Sequence, residues 1–299
     1  MKSKINRRNF IQIAGVGTLA ATSVKSVPSD NIQKWSKEKP VLKLGLMTHK
    51  LGMDWDIETL IENCSETGWV HAELRTTHKH GVEVTLSKQE RNEVKKRFED
   101  SPLEAISLAS GFSYNHTDPK ELKNHIEGTK EYLQLAADVG AIGIRVFPIA
   151  KQTTLPEGVS GEKIMEQIGK SLAEVSRVGH NLNVDVRVCA HGDGARNIPV
   201  IRKIIDYSES PYVYVNWNCN DTDIEDGGLV KNFNLIKDRI KGVHMHSLFN
   251  EKYPYRKFLN LLREYDSTIY CNAEIDQSCE PITLMKYYRA LFLAYQNEL

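Results

Sequence analysis

Eight short apolar runs that alternate with eight longer segments of helical period predict an α/β chain folded as a single-domain (β/α)8 TIM barrel. Two further observations favour it over an open doubly wound sheet. Polar residues gather at the C-terminal ends of the apolar runs, and there is neither a GxGxxG after a first strand nor a GxxxxGK[ST] to mark a nucleotide fold.

In chain order, the strands are predicted at 42–47, 70–75, 104–109, 142–147, 184–189, 212–217, 242–245 and 269–274. Each is a short apolar run. The helices between them are predicted at 56–67, 87–99, 119–139, 160–181, 198–208, 229–239, 255–264 and 280–296, where apolar residues recur with helical period. Asp56 and Ser87 stand just ahead of acidic positions, as N-caps do. "ETGW" and "DVGA" place Gly68 and Gly140 where helices end.

The first 27 residues differ in character and are predicted to be a signal peptide of the twin-arginine type, with 28–40 a polar linker and 41–299 the barrel. Arg7 and Arg8 precede an apolar run from Phe10 to Ala21, about 12 residues against the ~20 needed to span a bilayer. Export to the periplasm, cleavage between Ala21 and Ser26, and no stable membrane span afterwards are the expectations.

Among 299 residues, 39 basic and 39 acidic side chains cancel, so there is no electrostatic case for nucleic acid and no charged tail. The five cysteines are odd in number and form no CxxC, which argues against a disulfide framework or a zinc knuckle. Only Cys189 and Cys219 stand where chemistry is expected.

A barrel builds its active site at the C-terminal ends of the strands. There the sequence places His49 and Lys50, Glu73, Arg75, His78 and His80, Arg145, Cys189, His191 and Asp193, Asn216, Asn218 and Asn220, His244 and His246, and Glu274 and Asp276. Glu73 interrupts a strand whose inward partners are expected to be Leu or Val; it reads either as an ion pair with Arg75 or Arg145 or as a site carboxylate. His78 and His80 read equally as surface or site residues. His244 and His246 lie two apart, hence on one strand face. Buried carboxylates are rare without a partner, which marks Glu274 as a site residue.

Taken together, "AELRTTHKHGVE", "RVCAHGDG", "VNWNCNDTD", "VHMHSL" and "NAEI" resemble the xylose isomerase-like barrels, the sugar phosphate isomerases and epimerases, over roughly 42–299. The resemblance implies a divalent ion (Zn, Mn, Mg or Co) held by a carboxylate on strand 5, an oxygen ligand on strand 6, a His on strand 7 and a Glu on strand 8. These positions fall on Cys189, Asn218, His244 and Glu274. Cys189 and Asn218 depart from the pattern and favour a softer ion such as zinc. The resemblance further implies Glu73, Glu274, His191 and Arg145 as catalytic groups, and His80, His246 and Trp217 as substrate contacts.

The function expected is an exported sugar isomerase or epimerase working by metal-assisted enolisation, with a carbohydrate as partner and a homo-oligomer possible in principle. A metal-depleted, sugar-binding barrel and a related carbohydrate lyase are the alternatives, the first favoured by Cys189.

Overall fold

A computed structural model describes residues 41–150, 160–192 and 195–297. The chain divides between Glu38 and Lys39 into two units. The signal peptide and linker expected over 1–40 lie outside the described residues, as do Asp193 and Gly194.

Eight parallel strands close into a barrel in sequence order: β1 (Lys43–Met47), β2 (His71–Arg75), β3 (Ala105–Ala109), β4 (Gly143–Val146), β5 (Asp185–Cys189), β6 (Val213–Trp217), β7 (Ile240–Met245) and β8 (Tyr270–Ala273). Helices follow as α1 (Ile57–Thr67), α2 (Lys88–Glu99), α3 (Pro119–Val139), α4 (Gly161–Asn181), α5 (Ile198–Ser208), α6 (Leu229–Ile236), α7 (Tyr255–Tyr265) and α8 (Pro281–Asn297). The (β/α)8 architecture is therefore as the periodicity predicts. Strand ends mostly differ by one residue from those predicted; the larger differences are that the helix predicted over 229–239 tightens into a 3-10 turn at Lys237–Arg239, and that β7 starts two residues earlier than read.

The caps explain the helix ends. Asp56 accepts the Thr59 N–H at 3.0 Å, and Ser87 and Glu90 form a reciprocal capping box. Gly68 and Gly140 end α1 and α3 in the left-handed region, at φ 70° and 77°, which a glycine adopts without steric cost.

Strand alternation sorts the side chains into two populations. The outward set (Leu44, Leu46, Leu74, Leu108, Ile144, Val186, Val188, Val215, Val243 and Met245) is buried against helix faces such as Ile164, Ile168, Leu172 and Val175 of α4. That apolar shell is where burial stabilises the fold, at about 25 cal/mol per Å².

The inward set corrects an expectation. Glu73 is not surrounded by Leu or Val: the barrel interior holds His71, Ser107, Arg187, Asn216 and Asn272, all buried. Arg187 pairs with Asp185 at 3.1 Å, and Gly143 and Gly242 leave its guanidinium room. A Cβ on Gly143 would meet Arg187 Nε at 2.8 Å, and one on Gly242 would meet Asn216 Oδ1 at 2.7 Å.

Trp217 is a second correction. It shares the outward parity of Val213 and Val215, stacks on Phe258 at 5.2 Å and donates from its indole to Tyr253 Oη at 2.9 Å. It is a core residue under α6 and α7, away from the barrel mouth. Tyr253 in turn donates to Asp223 Oδ2 at 2.8 Å, tying the loops after β6 and β7 together.

Burial pushes the Asp223 carboxyl up to about 7, against the opposing effect of the Tyr253 hydrogen bond. Because the folded value lies above the unfolded one, stability falls as pH rises from the ordinary carboxylate range through 7. Asp223→Asn keeps an acceptor for Tyr253 without the charge. It is expected to melt at least about 2 °C above the wild type at pH 8, with a smaller gain at pH 5; calorimetric melts at the two pH values check this.

Candidate active site

The C-terminal mouth of the barrel opens into a cavity of about 360 Å³. Its wall includes His49, Arg75, Arg145, Phe147, Cys189, His191, Asn218, His244 and Glu274. Inward parity brings Cys189 and His191 there together, as "VCAHG" suggests.

Glu73 lies one layer beneath the cavity floor. It is 1% exposed, and its Oε1 is 2.7 Å from His244 Nε2. Its other oxygen accepts from Ser107 Oγ and Asn272 Nδ2, both at 3.3 Å. The expected ion pair therefore exists, but with His244 rather than Arg75 or Arg145. Glu73 touches the reacting space only through His244 and is a positioning residue.

His244 is 2% exposed, and its second nitrogen, Nδ1, is 3.6 Å from Glu274 Oε2. Burial alone disfavours both charges of the Glu73–His244 pair, yet their mutual attraction and hydrogen bond prevail, with a hydrogen bond to Cys189 adding to the rise at His244. Glu73 is held below the usual carboxylate range and His244 is raised to about 10, an imidazolium at neutral pH. Burial likewise disfavours the charge on Glu274. The positive fields of His244 and Arg145 outweigh it and hold this carboxyl low, hence ionised.

Cys189 sits among amides: Asn216 Nδ2 donates to its sulfur at 3.7 Å, and the thiol approaches Asn218 Oδ1 at 3.8 Å. Burial lowers the His49 pKa, so its ring is neutral, and its Nδ1 is buried with no hydrogen-bond partner.

Two expected substrate contacts are placed elsewhere. His80 uses both nitrogens within its loop, donating from Nε2 to the Arg75 carbonyl at 2.8 Å and accepting the Val82 N–H at 3.1 Å. It braces the loop and does not line the cavity. His246 shares a strand face with His244, but it lies past the end of β7 and donates to the Asn218 carbonyl at 3.0 Å. It lines a neighbouring cavity with Cys219, Asn220 and Tyr253. The selection from sequence left out Arg75 and His49, although both follow from parity: Arg75 is two residues beyond Glu73, and His49 two beyond Met47.

The expected ligands Cys189, Asn218, His244 and Glu274 share the cavity wall. Among the described residues, however, no three His, Cys, Asp or Glu side chains converge to hold a metal ion. The donor set is a thiol, a neutral amide, one carboxylate and an imidazole charged between two carboxylates. It lacks the oxygens that a hard cation such as Mn or Mg takes, and the donors that would suit zinc, Cys189, His244 and Glu274, do not converge here.

The xylose isomerase-like TIM barrel family matches residues 61–284. The chain belongs to this family. Among solved structures, D-psicose 3-epimerase with D-tagatose, from Clostridium cellulolyticum H10, is similar at a TM-score of 0.72 and 12% identity, over 86% of this chain and 100% of that one. The 3-keto-D-glucoside 4-epimerase of E. coli is similar at 0.70 and 16%, over 85% and 99%. The IOLI protein, solved with a bound zinc atom, is similar at 0.66 and 14%, over 85% and 96%. At such identities the likeness is one of fold. No curated protein sequence gave a significant match. No helix among the described residues is long and apolar enough to cross a membrane.

The Glu73–His244 pair makes stability depend on pH. The raised value of His244 means that its contribution is fully present below its ordinary 6.5 and is lost as pH rises through about 10. Glu73→Gln is expected to lower stability by about 3 kcal/mol at pH 7. It should also flatten the fall between pH 7 and 10, as urea midpoints across that window would record.

Proposed function

We propose that this barrel is a sugar epimerase or isomerase that moves a proton at a carbon next to a carbonyl. The observation that carries the reading is geometric: His244 stands between Glu73, 2.7 Å from its Nε2, and Glu274, 3.6 Å from its Nδ1, at the cavity wall. Glu274 removes the proton. His244 Nδ1 faces the oxygen on which negative charge develops, and a fixed charge there needs no reorganisation during the step.

We assign to His191, which lines the same cavity after β5, the return of a proton to the face opposite Glu274, the requirement for epimerisation. Family membership and the sugar epimerases among the structural neighbours support the same chemistry. Every step is assigned to side chains of this chain.

In deuterated water the wild type is expected to wash deuterium into ketoses at the carbon beside the carbonyl. Glu274→Gln should slow that exchange by about 10²–10⁴. Binding of a sugar without exchange in any ketose tested would instead support the sugar-binding reading that Cys189 favours.

We further propose that the protein is exported through the twin-arginine route, on the strength of Arg7, Arg8 and the apolar run after them. Replacing both arginines by lysine is expected to retain uncleaved chain in the cytoplasm, read by fractionation and the mass of the mature N-terminus.

A further inference from the structure

The cavity carries more positive charge than proton transfer requires. Arg75, at the end of β2, and Arg145, on β4, both line it. Among the described residues, neither guanidinium lies within ion-pair distance of a carboxylate. Arg145 is 3% exposed; its Nη1 donates to the Ser110 carbonyl at 2.7 Å, its plane lies 4.0 Å from the Phe147 ring centre, and its buried Nε has no partner. Arg75 donates only to the carbonyl and hydroxyl of Thr76.

Other arginines of this fold are matched differently. Arg187 pairs with Asp185 inside the barrel, and Arg91 pairs with Asp138 at 2.8 Å. Holding two like charges in one partly buried cavity is unfavourable, and burial followed by the charge of Arg145 depresses the Arg75 pKa accordingly. Guanidinium groups present planar arrays of donors that match carboxylate and phosphate oxygens. An anion between them would remove the repulsion and partner the unused donors. Glu274 acts on both guanidinium groups through its charge but lies beside His244, outside ion-pair distance of either.

We propose that the substrate is an acidic sugar, a sugar carboxylate or sugar phosphate, whose anionic group sits between Arg75 and Arg145 while its carbonyl end faces Glu274 and His244. The inference rests on the epimerase reading for the orientation of the sugar, and it moves Arg145 from the expected catalytic set to substrate anchoring. The two anchors would also fix which carbon meets Glu274.

The test is calorimetric binding to the full chain at low salt, with D-glucuronate and D-fructose 6-phosphate as acidic probes and D-fructose as the neutral one. At least one acid is expected to bind about 10- to 100-fold more tightly than D-fructose, and the stronger acid identifies the anion. In Arg75→Gln and Arg145→Gln, each checked for folding by circular dichroism, that ratio is expected to fall towards one. If Arg145→Gln fails to fold, the half-buried Arg75 carries the comparison alone. D-fructose binding as tightly as both acids, or a ratio that survives substitution, overturns the proposal. Deuterium exchange separates the two readings. Exchange into neutral and acidic ketoses alike would overturn the anion site and leave the epimerase, whereas arginine-dependent binding of the acids without exchange would overturn the epimerase and leave the anion site.

Discussion

The site depends on one buried interaction, the 2.7 Å contact between Glu73 and His244. Neither side chain could carry a charge at that depth alone, because desolvation would drive each towards its neutral form. Together, with Ser107 and Asn272 satisfying the second carboxylate oxygen, they form a closed polar unit. Its outer end is an imidazole ring fixed in orientation and charge, against which Glu274 and the cavity wall are arranged.

Such a unit needs an interior that tolerates polarity, and strand alternation provides it. Layers of Val, Ile and Leu commonly fill barrels of this type. In this chain the apolar residues lie on the outer faces of the strands, under the helices, while His71, Arg187, Asn216 and Asn272 occupy the axis. Stability and chemistry thus use opposite faces of the same strands. The division also explains why glycine recurs inside: Gly143 and Gly242 give the long Arg187 side chain its space.

Sequence periodicity made the fold legible nearly element by element, because every strand is apolar on its helix side. The mouth was legible where parity could be counted from an unambiguous polar residue, as for Cys189, His191 and Glu274. Trp217 misled because aromatic rings suit both sugar stacking and cores. Its parity, opposite to Asn216 and shared with Val215, assigns it to the core. For His80 and His246 hydrogen bonds to main-chain carbonyls, which the sequence does not display, settle the orientation. The partner of Glu73 was illegible because it comes from a strand 171 residues away in sequence.

The exchange of carboxylates for Cys189 and Asn218 is coherent with the rest of the cavity. A site built on a divalent ion balances it with several anionic ligands. Here the fixed cations are His244, Arg75 and Arg145, and Glu274 is the one carboxylate among the described residues that line the cavity. In the proposed reaction that positive field has two opposed effects. It depresses the Glu274 carboxyl and weakens it as a base, while it stabilises negative charge on a substrate oxygen. Proton abstraction moves negative charge from the carboxylate to the substrate, so the field assists only if the substrate oxygen lies nearer the cations than Glu274 does. With His244 Nδ1 at 3.6 Å from the carboxylate, that condition requires the carbonyl oxygen at hydrogen-bonding distance from the imidazolium. The geometry of Glu73, two residues from the opposing Arg75 and bonded to the far side of that same ring, fixes where such an oxygen has to be.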